Sequence, residues 1–169
     1  GLILTDRDLE LFEFLFVSKI ASRDQINKAV FGSVKKQTLN SRLSKLLGMH
    51  LLQRKAFLKA GRLTSCYENT QAALDKIKSR FKYKIRKDLI KSDAVEHDLG
   101  LVDLRSLLSK RRSVDLLITE NVLQSCEDFW ESNQFFPFVD LNSDALMRVY
   151  TNSGPRLVAL EYESYNKSL

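Results

Sequence analysis

Helix boundaries are marked clearly in the first third of the chain, and they constrain the fold more than any other feature of the sequence. Residues 5–8 begin with Thr and end with Asp, and residues 22–25 begin with Ser and end with Gln, two patterns typical of capping boxes at helix N-termini. Apolar residues follow each pattern at helical spacing, and Gly32 and Gly48 stand where helices commonly end. The sequence therefore predicts three helices before residue 49.

Two runs with β character follow the third predicted helix. The segment 59–62, Lys-Ala-Gly-Arg, separates the two runs and is typical of a hairpin turn. Asn69 or Thr70 is placed to cap a fourth helix. Three helices, a two-stranded hairpin and a further helix, in this order, predict a winged helix-turn-helix domain over residues 1–80.

Charge is divided unevenly along the chain. Residues 1–91 hold 20 Lys and Arg against 8 Asp and Glu, a net +12, whereas residues 92–169 hold 7 against 13, a net −6. No Asp or Glu lies between Lys35 and Lys59. This division predicts two functional units, with double-stranded DNA held mainly by the first. The alternative is a basic, solvated face on a small helical domain.

In a winged helix-turn-helix domain the third helix enters the major groove and the hairpin tip reaches the flanking backbone. Lys and Arg side chains neutralise phosphates there, and Gln37, Asn40 and Arg42 are able to form paired hydrogen bonds to base edges. The predicted DNA-binding residues are Lys35, Lys36, Gln37, Thr38, Asn40, Ser41, Arg42, Lys45, Lys59 and Arg62.

Beyond residue 80, the sequence predicts a second, mixed domain and thus an α+β protein. Residues 81–91 form either a basic linker or the end of the fourth helix with a connecting strand, and Ser92 is placed to cap a further helix. The remaining segments of 92–169 predict a strand over 113–123, a short helix over 125–132, an extended stretch over 135–141 and a β-hairpin over 144–164.

Several function classes are disfavoured by composition. Cys66 and Cys126 lie far apart and lack the paired spacing of a zinc site, so we expect free, partly buried thiols and no cofactor. No apolar run approaches the roughly 20 residues of a membrane-spanning helix, and the first eight residues are too short and too acidic for a signal peptide. We expect a cytoplasmic protein without a membrane partner.

Several motifs, carried by the segments LTDRDLELFEFL, EHDLGLVDLR, LLITENVL, NSDALMRV and LVALEYESYNKS, together resemble the replication-relaxation family of plasmids and integrative mobile elements. The resemblance implies an N-terminal winged helix-turn-helix and a C-terminal domain related to the restriction-endonuclease fold. In that family a Pro-Asp-Ala segment precedes a Glu-x-Glu strand and a Lys, and His97 matches the family's His-x-Leu segment. Here Ser143 replaces the Pro.

The resemblance places Asp144, Glu161, Glu163 and Lys167 where the family has its acidic strand and Lys. Asp144 and Glu161 on neighbouring strands could bring together two carboxylates, the minimum for Mg²⁺ or Mn²⁺. A nuclease of this kind also needs a Lys two residues after the Glu, where Glu163 stands, so Lys167 would have to act from a displaced position. Glu161 and Glu163 are expected on one face of a strand.

Three hypotheses remain open from the sequence. The leading one is a sequence-specific DNA-binding regulator of transcription or replication in a mobile element. In this hypothesis the second domain is a degenerate nuclease-like fold used for dimerisation or for binding a protein partner, and a two-fold homodimer reads paired half-sites. The alternatives are a metal-dependent DNA nuclease and an adaptor that binds no specific site. His97 is expected to be a packed residue rather than a catalytic base.

Overall fold

The structure is a computed structural model that describes residues 3–163. Within these residues it is a mixed α+β fold with seven α-helices and two three-stranded antiparallel sheets. The α+β class predicted from the sequence is confirmed. None of the helices between residues 3 and 163 combines the length and the apolar character that crossing a membrane requires.

The first three helices begin and end close to where the capping signals predict. They are α1 (Asp6–Ser18), α2 (Arg23–Ile26) and α3 (Lys36–Gly48). Thr5 and Ser22 each accept a hydrogen bond from a backbone N–H three residues later, and the side chains of Asp8 and Gln25 accept one from the cap residue's N–H. Both capping boxes are therefore complete, which pairs N–H groups that a helix N-terminus otherwise leaves open. A π-helical turn, Asn27–Phe31, extends α2.

The first sheet contains the predicted hairpin. Its strands are β1 (Ala21–Ser22), β2 (Leu52–Lys59) and β3 (Arg62–Asn69), in the spatial order β1-β3-β2. The two-residue turn consists of Ala60 and Gly61, both with positive φ (49° and 74°), as in the tight turns that match the twist of paired strands. Thr70 caps the next helix, α4 (Gln71–Ile77), as predicted.

Residues 78–94 connect the two parts of the chain without a helix and with only one bridge pair, Ile85 with Cys126. The segment is packed rather than solvated. Lys84 forms an ion pair with Glu127 at 3.1 Å, and its backbone N–H donates to a carboxylate of the second part. Of the two alternatives for this region, the extended strand is not formed, and the basic connector is held against its neighbours.

The remaining elements form the second sheet and its helices. They are α5 (Val95–Leu108), β4 (Val114–Thr119), α6 (Glu120–Ser125), a 3₁₀ turn (Glu127–Phe129), α7 (Phe136–Asp140), β5 (Ala145–Thr151) and β6 (Gly154–Leu160). The sheet has the order β4-β5-β6, and all neighbours are antiparallel. The predicted helix after residue 92 and the closing hairpin are confirmed. The strand predicted over 113–123 is confirmed only as far as Thr119, because residues 120–125 form α6, and the short helix predicted over 125–132 is present only as a 3₁₀ turn.

Two local predictions in this part are wrong. Residues 136–140 form α7 instead of an extended stretch, because Pro137 lies in the first turn of a helix, where its fixed φ and missing N–H are tolerated. Ser92 does not cap α5, whose N-cap residue is Ala94. The Ser92 hydroxyl instead donates a 2.5 Å hydrogen bond to the buried Asp98 carboxylate.

One buried apolar cluster joins the two parts of the sequence. It contains residues of α1, α3 and α4 together with Ile118, Leu123 and Leu146 from the second part. Two carbonyls of α1 also accept hydrogen bonds from the two parts, that of Phe12 from Asn69 at 2.8 Å and that of Val17 from Thr119 at 2.7 Å. The proposed boundary at residues 81–91 therefore separates stretches of sequence that share one core.

The two faces of the β2–β3 hairpin pack against different neighbours. Side chains alternate along a strand, so Leu52 and Tyr67 point to one face and Cys66 to the other. Leu52 and Tyr67 are buried in the cluster that includes the apolar residues of α3. Cys66 is buried with Ile20 and Leu99 beneath α5. The hairpin is thus fixed at its base by both parts of the chain.

Candidate nucleic-acid interface

Helix α3 has one buried and one exposed side. Leu39, Leu43 and Leu46 are buried, as the predicted apolar stripe requires. The exposed residues at its start and on its opposite side are Lys35, Lys36, Gln37, Thr38, Ser41 and Lys45. Six of the ten predicted DNA-binding residues thus lie together on one accessible surface, which we call the α3 surface.

The positive charges of the α3 surface have no acidic partners within the described part of the chain. Lys35, Lys36 and Lys45 form no ion pair there, and the same is true of Lys59 and Arg62 at the tip of the hairpin. Exposed cations usually alternate with acids on a solvated helix. Here the charge remains available to an external anion.

Arg42 differs from the other bases of α3. Its guanidinium pairs with Asp8 through two hydrogen bonds, one of 2.8 Å from Nε, and also donates to the Ile3 carbonyl at 3.2 Å. The Asp8 side chain is only 1% exposed. Burial raises the pKa of that carboxyl, but the hydrogen bonds from Arg42 and Thr5 outweigh burial and hold the pKa below its usual value. Arg42 therefore joins α3 to α1, and this geometry disfavours the predicted contact with a base.

Asn40 is also less accessible than predicted. Its side chain is half-buried, and its amide oxygen is buried without a hydrogen-bond partner among the described residues. A paired contact with adenine requires both the oxygen and the nitrogen of the amide. Gln37, which is exposed, meets this requirement better than Asn40.

The hairpin tip adds an apolar pair that the sequence reasoning missed. Lys59 lies opposite Arg62, and the next pair inward is Leu58 opposite Leu63. The two leucines are 63% and 76% exposed. In the sequence, Leu-Lys precedes the turn and Arg-Leu follows it, and this symmetric placement could have indicated an apolar pair beside the basic pair at the tip.

The acidic residues of the second hairpin do not form the arrangement expected of a nuclease. The register of β5 and β6 ends with Ala145 opposite Leu160, so Asp144 and Glu161 lie just outside the strands at the same end of the hairpin. However, β6 ends at Leu160, so Glu161 and Glu163 do not share a strand face as expected, and both are exposed. Lys167 lies outside the described residues.

Asp144 is bound within the protein instead. One of its carboxylate oxygens lies 3.2 Å from His97 Nε2 and accepts a 2.8 Å hydrogen bond from the Tyr162 N–H. His97 Nδ1 lies 3.2 Å from the Asp98 carboxylate. Burial lowers the pKa of His97, but hydrogen bonds and charge from Asp98 and Asp144 outweigh burial and raise it. His97 is a packed residue between two carboxylates, as expected.

These residues do not fit a Mg²⁺ or Mn²⁺ site. Asp144 already contacts two groups of the protein, and the side chain of Glu161 is exposed. Between residues 3 and 163, no group of three or more His, Cys, Asp or Glu side chains is arranged to hold a metal ion. A divalent ion needs several oxygen ligands, which this end of the hairpin does not offer.

The two cysteines are free thiols, as expected, and both are buried. Burial raises the pKa of Cys126 to about 12 and also raises the pKa of Cys66. A thiol with a raised pKa is a poor nucleophile at neutral pH. Neither cysteine therefore offers a reactive site.

An open cleft of about 1140 Å³ lies elsewhere in the molecule, between α1, α5 and β4. None of its lining residues belongs to α3 or to the β2–β3 hairpin. The lining carries charges of both signs, including Glu13 with Arg80 and Asp103 with Lys110. The cleft therefore lacks the single sign of charge that marks the α3 surface.

Comparisons of this chain with protein-family models, with curated proteins and with solved structures found no match. The resemblance of its motifs to the replication-relaxation family thus remains an expectation from sequence. The α3 surface and the hairpin tip, with their unpaired positive charge, remain the features of the molecule that indicate a function.

Proposed function

We propose that this protein binds double-stranded DNA through a winged helix-turn-helix formed by α1 to α4 and the β2–β3 hairpin. In this arrangement α3 enters the major groove and the hairpin tip lies over the flanking backbone. The order of elements supports the proposal, because three helices are followed by a hairpin and a further helix. The buried stripe of α3 leaves its polar side free to face the groove.

The observation that carries the proposal is a set of unpaired cations on one surface. Lys35, Lys36 and Lys45 are exposed without acidic partners, and no Asp or Glu occurs between Asp24 and Glu68. DNA carries one negative charge for about every 1.7 Å of its axis and gains affinity from each phosphate that a Lys or Arg neutralises. A regular array of anions is therefore the partner that best matches this surface.

Sequence preference is assigned to the polar residues between these lysines. Gln37, Thr38 and Ser41 are exposed on α3 and carry hydrogen-bonding groups suited to base edges. The phosphate contacts set the position of the helix, and the base contacts select the site. Gln37 is the residue we expect to discriminate most strongly, because its amide can pair with an adenine through two hydrogen bonds.

The biological role is proposed from the resemblance of the motifs to the replication-relaxation family. It is regulation of transcription or replication in a mobile element, in the cytoplasm. The second part of the chain is then a degenerate restriction-endonuclease-like unit that serves dimerisation or a protein partner. A two-fold dimer would supply two recognition helices, and paired half-sites would extend the short sequence that one helix reads.

The test uses the full chain, because the two parts share one core. A binding site is first selected from a pool of random duplexes, and affinity is then measured by fluorescence anisotropy over a range of salt concentrations. The slope of log K against log salt is negative, and each phosphate contact contributes about −0.9 to it. The double variant Lys36→Ala and Lys45→Ala is therefore expected to have a slope that is less steep by about 1.8. Footprint length and complex mass report whether a dimer binds.

A matched control separates position from charge. Lys76 is exposed on α4 and forms no ion pair with another described residue, so Lys76→Ala removes one charge from a different helix and is compared with Lys36→Ala and Lys45→Ala as single variants. We expect its salt slope to equal that of the wild type. Failure of the wild type to bind any duplex at low salt, or equal losses from Lys76→Ala, would overturn the proposal.

Base reading is tested separately with Gln37→Ala. The variant is expected to lose about 1–3 kcal/mol of binding free energy on the selected site and less on random DNA, as for a lost bidentate contact. Equal losses on both duplexes would restrict α3 to contacts with the backbone.

The nuclease alternative is disfavoured by the geometry around Asp144. We expect no nicking of supercoiled plasmid in an overnight digestion with Mn²⁺, because Asp144 is bound to His97 and Glu163 stands where a nuclease needs a cation. Nicking by the wild type that both Asp144→Ala and Glu161→Ala lose would make this protein an enzyme.

A further inference from the structure

The tip of the β2–β3 hairpin carries two exposed leucines that the proposed DNA contact does not yet explain. Leu58 and Leu63 are directly opposite in the register, so their side chains lie on the same face of the hairpin. The next pair on that face is Ala56 with Ser65, and both of these side chains are small. The leucines are 63% and 76% exposed and stand clear of the core.

The leucines lie on the side of the hairpin that packs against α3. Residues 52, 54, 56 and 58 share one face of β2, and at its base Leu52 is buried with Tyr67 and the apolar residues of α3. Strands rise about 3.3 Å per residue, so an eight-residue strand carries the tip roughly 25 Å from this base. The tip therefore projects beyond the core.

The surroundings of the leucines favour an anionic partner with an apolar interior. Lys59 and Arg62 lie opposite each other beside the leucines, and neither has an acidic partner among the described residues. A second copy bound tip to tip would bring like charges together, because a two-fold contact places the same residues face to face. A DNA groove instead offers phosphates on both rims and stacked bases between them.

The minor groove is the groove from which apolar side chains enter the base stack of bent DNA. Along one face of B-DNA it follows a major groove by about half a turn of 34–36 Å. The tip is narrow, since the turn between Lys59 and Arg62 consists only of Ala60 and Gly61. Apolar side chains that press between base pairs from the minor groove unstack the step and bend the duplex.

We propose that the hairpin tip enters the minor groove beside the α3 site, that Leu58 and Leu63 press between two base pairs, and that the protein thereby bends its DNA. Lys59 and Arg62 bind phosphates on the two rims of the groove. This inference rests on the proposed DNA binding and adds to it an activity, because a bent duplex brings sequences on either side of the site closer together.

The experiment measures bending and binding in the same complexes. The selected duplex carries a donor and an acceptor dye at its ends, and energy transfer is recorded at saturating full-length protein. The wild type is expected to bend the duplex by an angle in the range of about 20–90° found for such wedges. The double variant Leu58→Thr and Leu63→Thr, in which β-branched Thr favours the strand conformation, is expected to bind within about threefold of the wild type and to lose at least half of the bend.

Leu141→Thr is the matched control, because Leu141 is 70% exposed outside the hairpin. It should bind and bend DNA as the wild type does. A second readout needs no variant: 2-aminopurine placed at successive positions of the duplex should brighten at one unstacked step when the wild type binds.

The outcomes separate the two proposals. The insertion of the leucines would be overturned if the wild-type complex showed no bend or no brightened step. It would also be overturned if the double variant bent DNA fully. Either result would leave the proposed DNA binding intact. A wild type that binds no duplex at low salt would overturn the proposed function itself. If the double variant fails to fold, as judged by circular dichroism, the 2-aminopurine scan with wild-type protein decides alone.

Discussion

The β2–β3 and β5–β6 hairpins have similar backbones, but their charges have different partners. Each belongs to a three-stranded antiparallel sheet, with strands of eight and seven residues, respectively. The first hairpin ends in the opposed pair Lys59 and Arg62, which have no acidic neighbour among the described residues. In the second hairpin, Arg148 donates two hydrogen bonds of 2.8 Å to Asp115 of β4, and Tyr150 donates a third to the same carboxylate.

The difference shows that the partner of a cation, and not the element that carries it, decides its role. Hydrogen bonds from Arg148 hold the pKa of Asp115 below its usual value, so this arginine stabilises the sheet to which it belongs. The tip of the β5–β6 hairpin, residues 151–154, carries no charge. Of the two tips, only that of the first hairpin therefore presents positive charge to an external anion, and the exposed Arg156 of the second hairpin lies further along β6.

Arg42 provides the largest expected effect, because it lies on α3 yet is paired like Arg148. Arg42→Ala should lower the free energy of unfolding by about 3 kcal/mol, since it leaves the buried Asp8 carboxylate without its ion-pair partner. Chemical denaturation at pH 7 measures this loss. The control Lys45→Ala, on the exposed side of the same helix, should change stability by less than about 0.5 kcal/mol.

The pH dependence of the same variant gives a second check on Arg42. The pKa of Asp8 is lowered on folding, so its contribution is present above the unfolded pKa of about 3.9 and is lost as pH falls through the folded value. Arg42→Ala should weaken this acid dependence. Equal stability of Arg42→Ala and wild type would show that the ion pair is not a determinant of the fold.

The two hairpins should differ clearly in their effects on DNA binding. Lys59→Ala combined with Arg62→Ala is expected to make the negative slope of log K against log salt less steep by about 1.8, and to do so on all sequences alike. Arg148→Ala combined with Arg156→Ala removes two cations from the second hairpin and should leave the slope unchanged. Similar losses from both double variants would mean that net charge alone, rather than its position, drives binding.

The base of the second hairpin should be sensitive to pH through His97. The pKa of His97 is raised on folding by Asp98 and Asp144, so its contribution to stability is fully present below the unfolded pKa of about 6.5. The contribution is lost as pH rises through the raised folded value. Unfolding free energies of wild type and His97→Gln between pH 5 and 8.5 should converge toward higher pH, and parallel curves would contradict this prediction.

The smallest expected effects concern the two turns. Ala60 has a positive φ of 49°, a conformation that Gly adopts without strain, so Ala60→Gly should stabilise the first hairpin by roughly 0.5–1 kcal/mol. Gly154 has a φ of 100°, and Gly154→Ala should destabilise the second hairpin by a similar or larger amount. Thermal unfolding measures both, and shifts of the same sign would show that turn strain does not control these hairpins.

Much of the secondary structure could be predicted because its signals are local. The capping boxes at Thr5 and Ser22 and the turn at Ala60 each depend on residues within a few positions in the sequence. The prediction failed at residues 136–140, where Pro137 and aromatic neighbours indicate an extended chain but a short helix packs into the second part. For so short a segment, tertiary packing outweighs intrinsic preference.

The candidate site could be predicted only in part. Exposure of Lys36, Gln37 and Lys45 followed from the apolar period of α3, because a helix that buries one side must expose the other. The pairing of Arg42 with Asp8 could not be foreseen, since these residues are 34 positions apart and many other acids were available in the sequence. The exposure of Leu58 and Leu63 was hidden because alternating strands do not reveal where the core ends.

The sequence by itself determined approximately where the first four helices lie, where both hairpins turn and how strongly positive charge is concentrated in residues 1–91. These properties depend on neighbouring residues and on composition. Only the tertiary structure decided that both parts share one core on α1, that Arg42 pairs with Asp8, and that His97 meets Asp144 from 47 positions away. Such contacts arise from the way whole elements pack, and burial then fixes which charges have partners and which remain free.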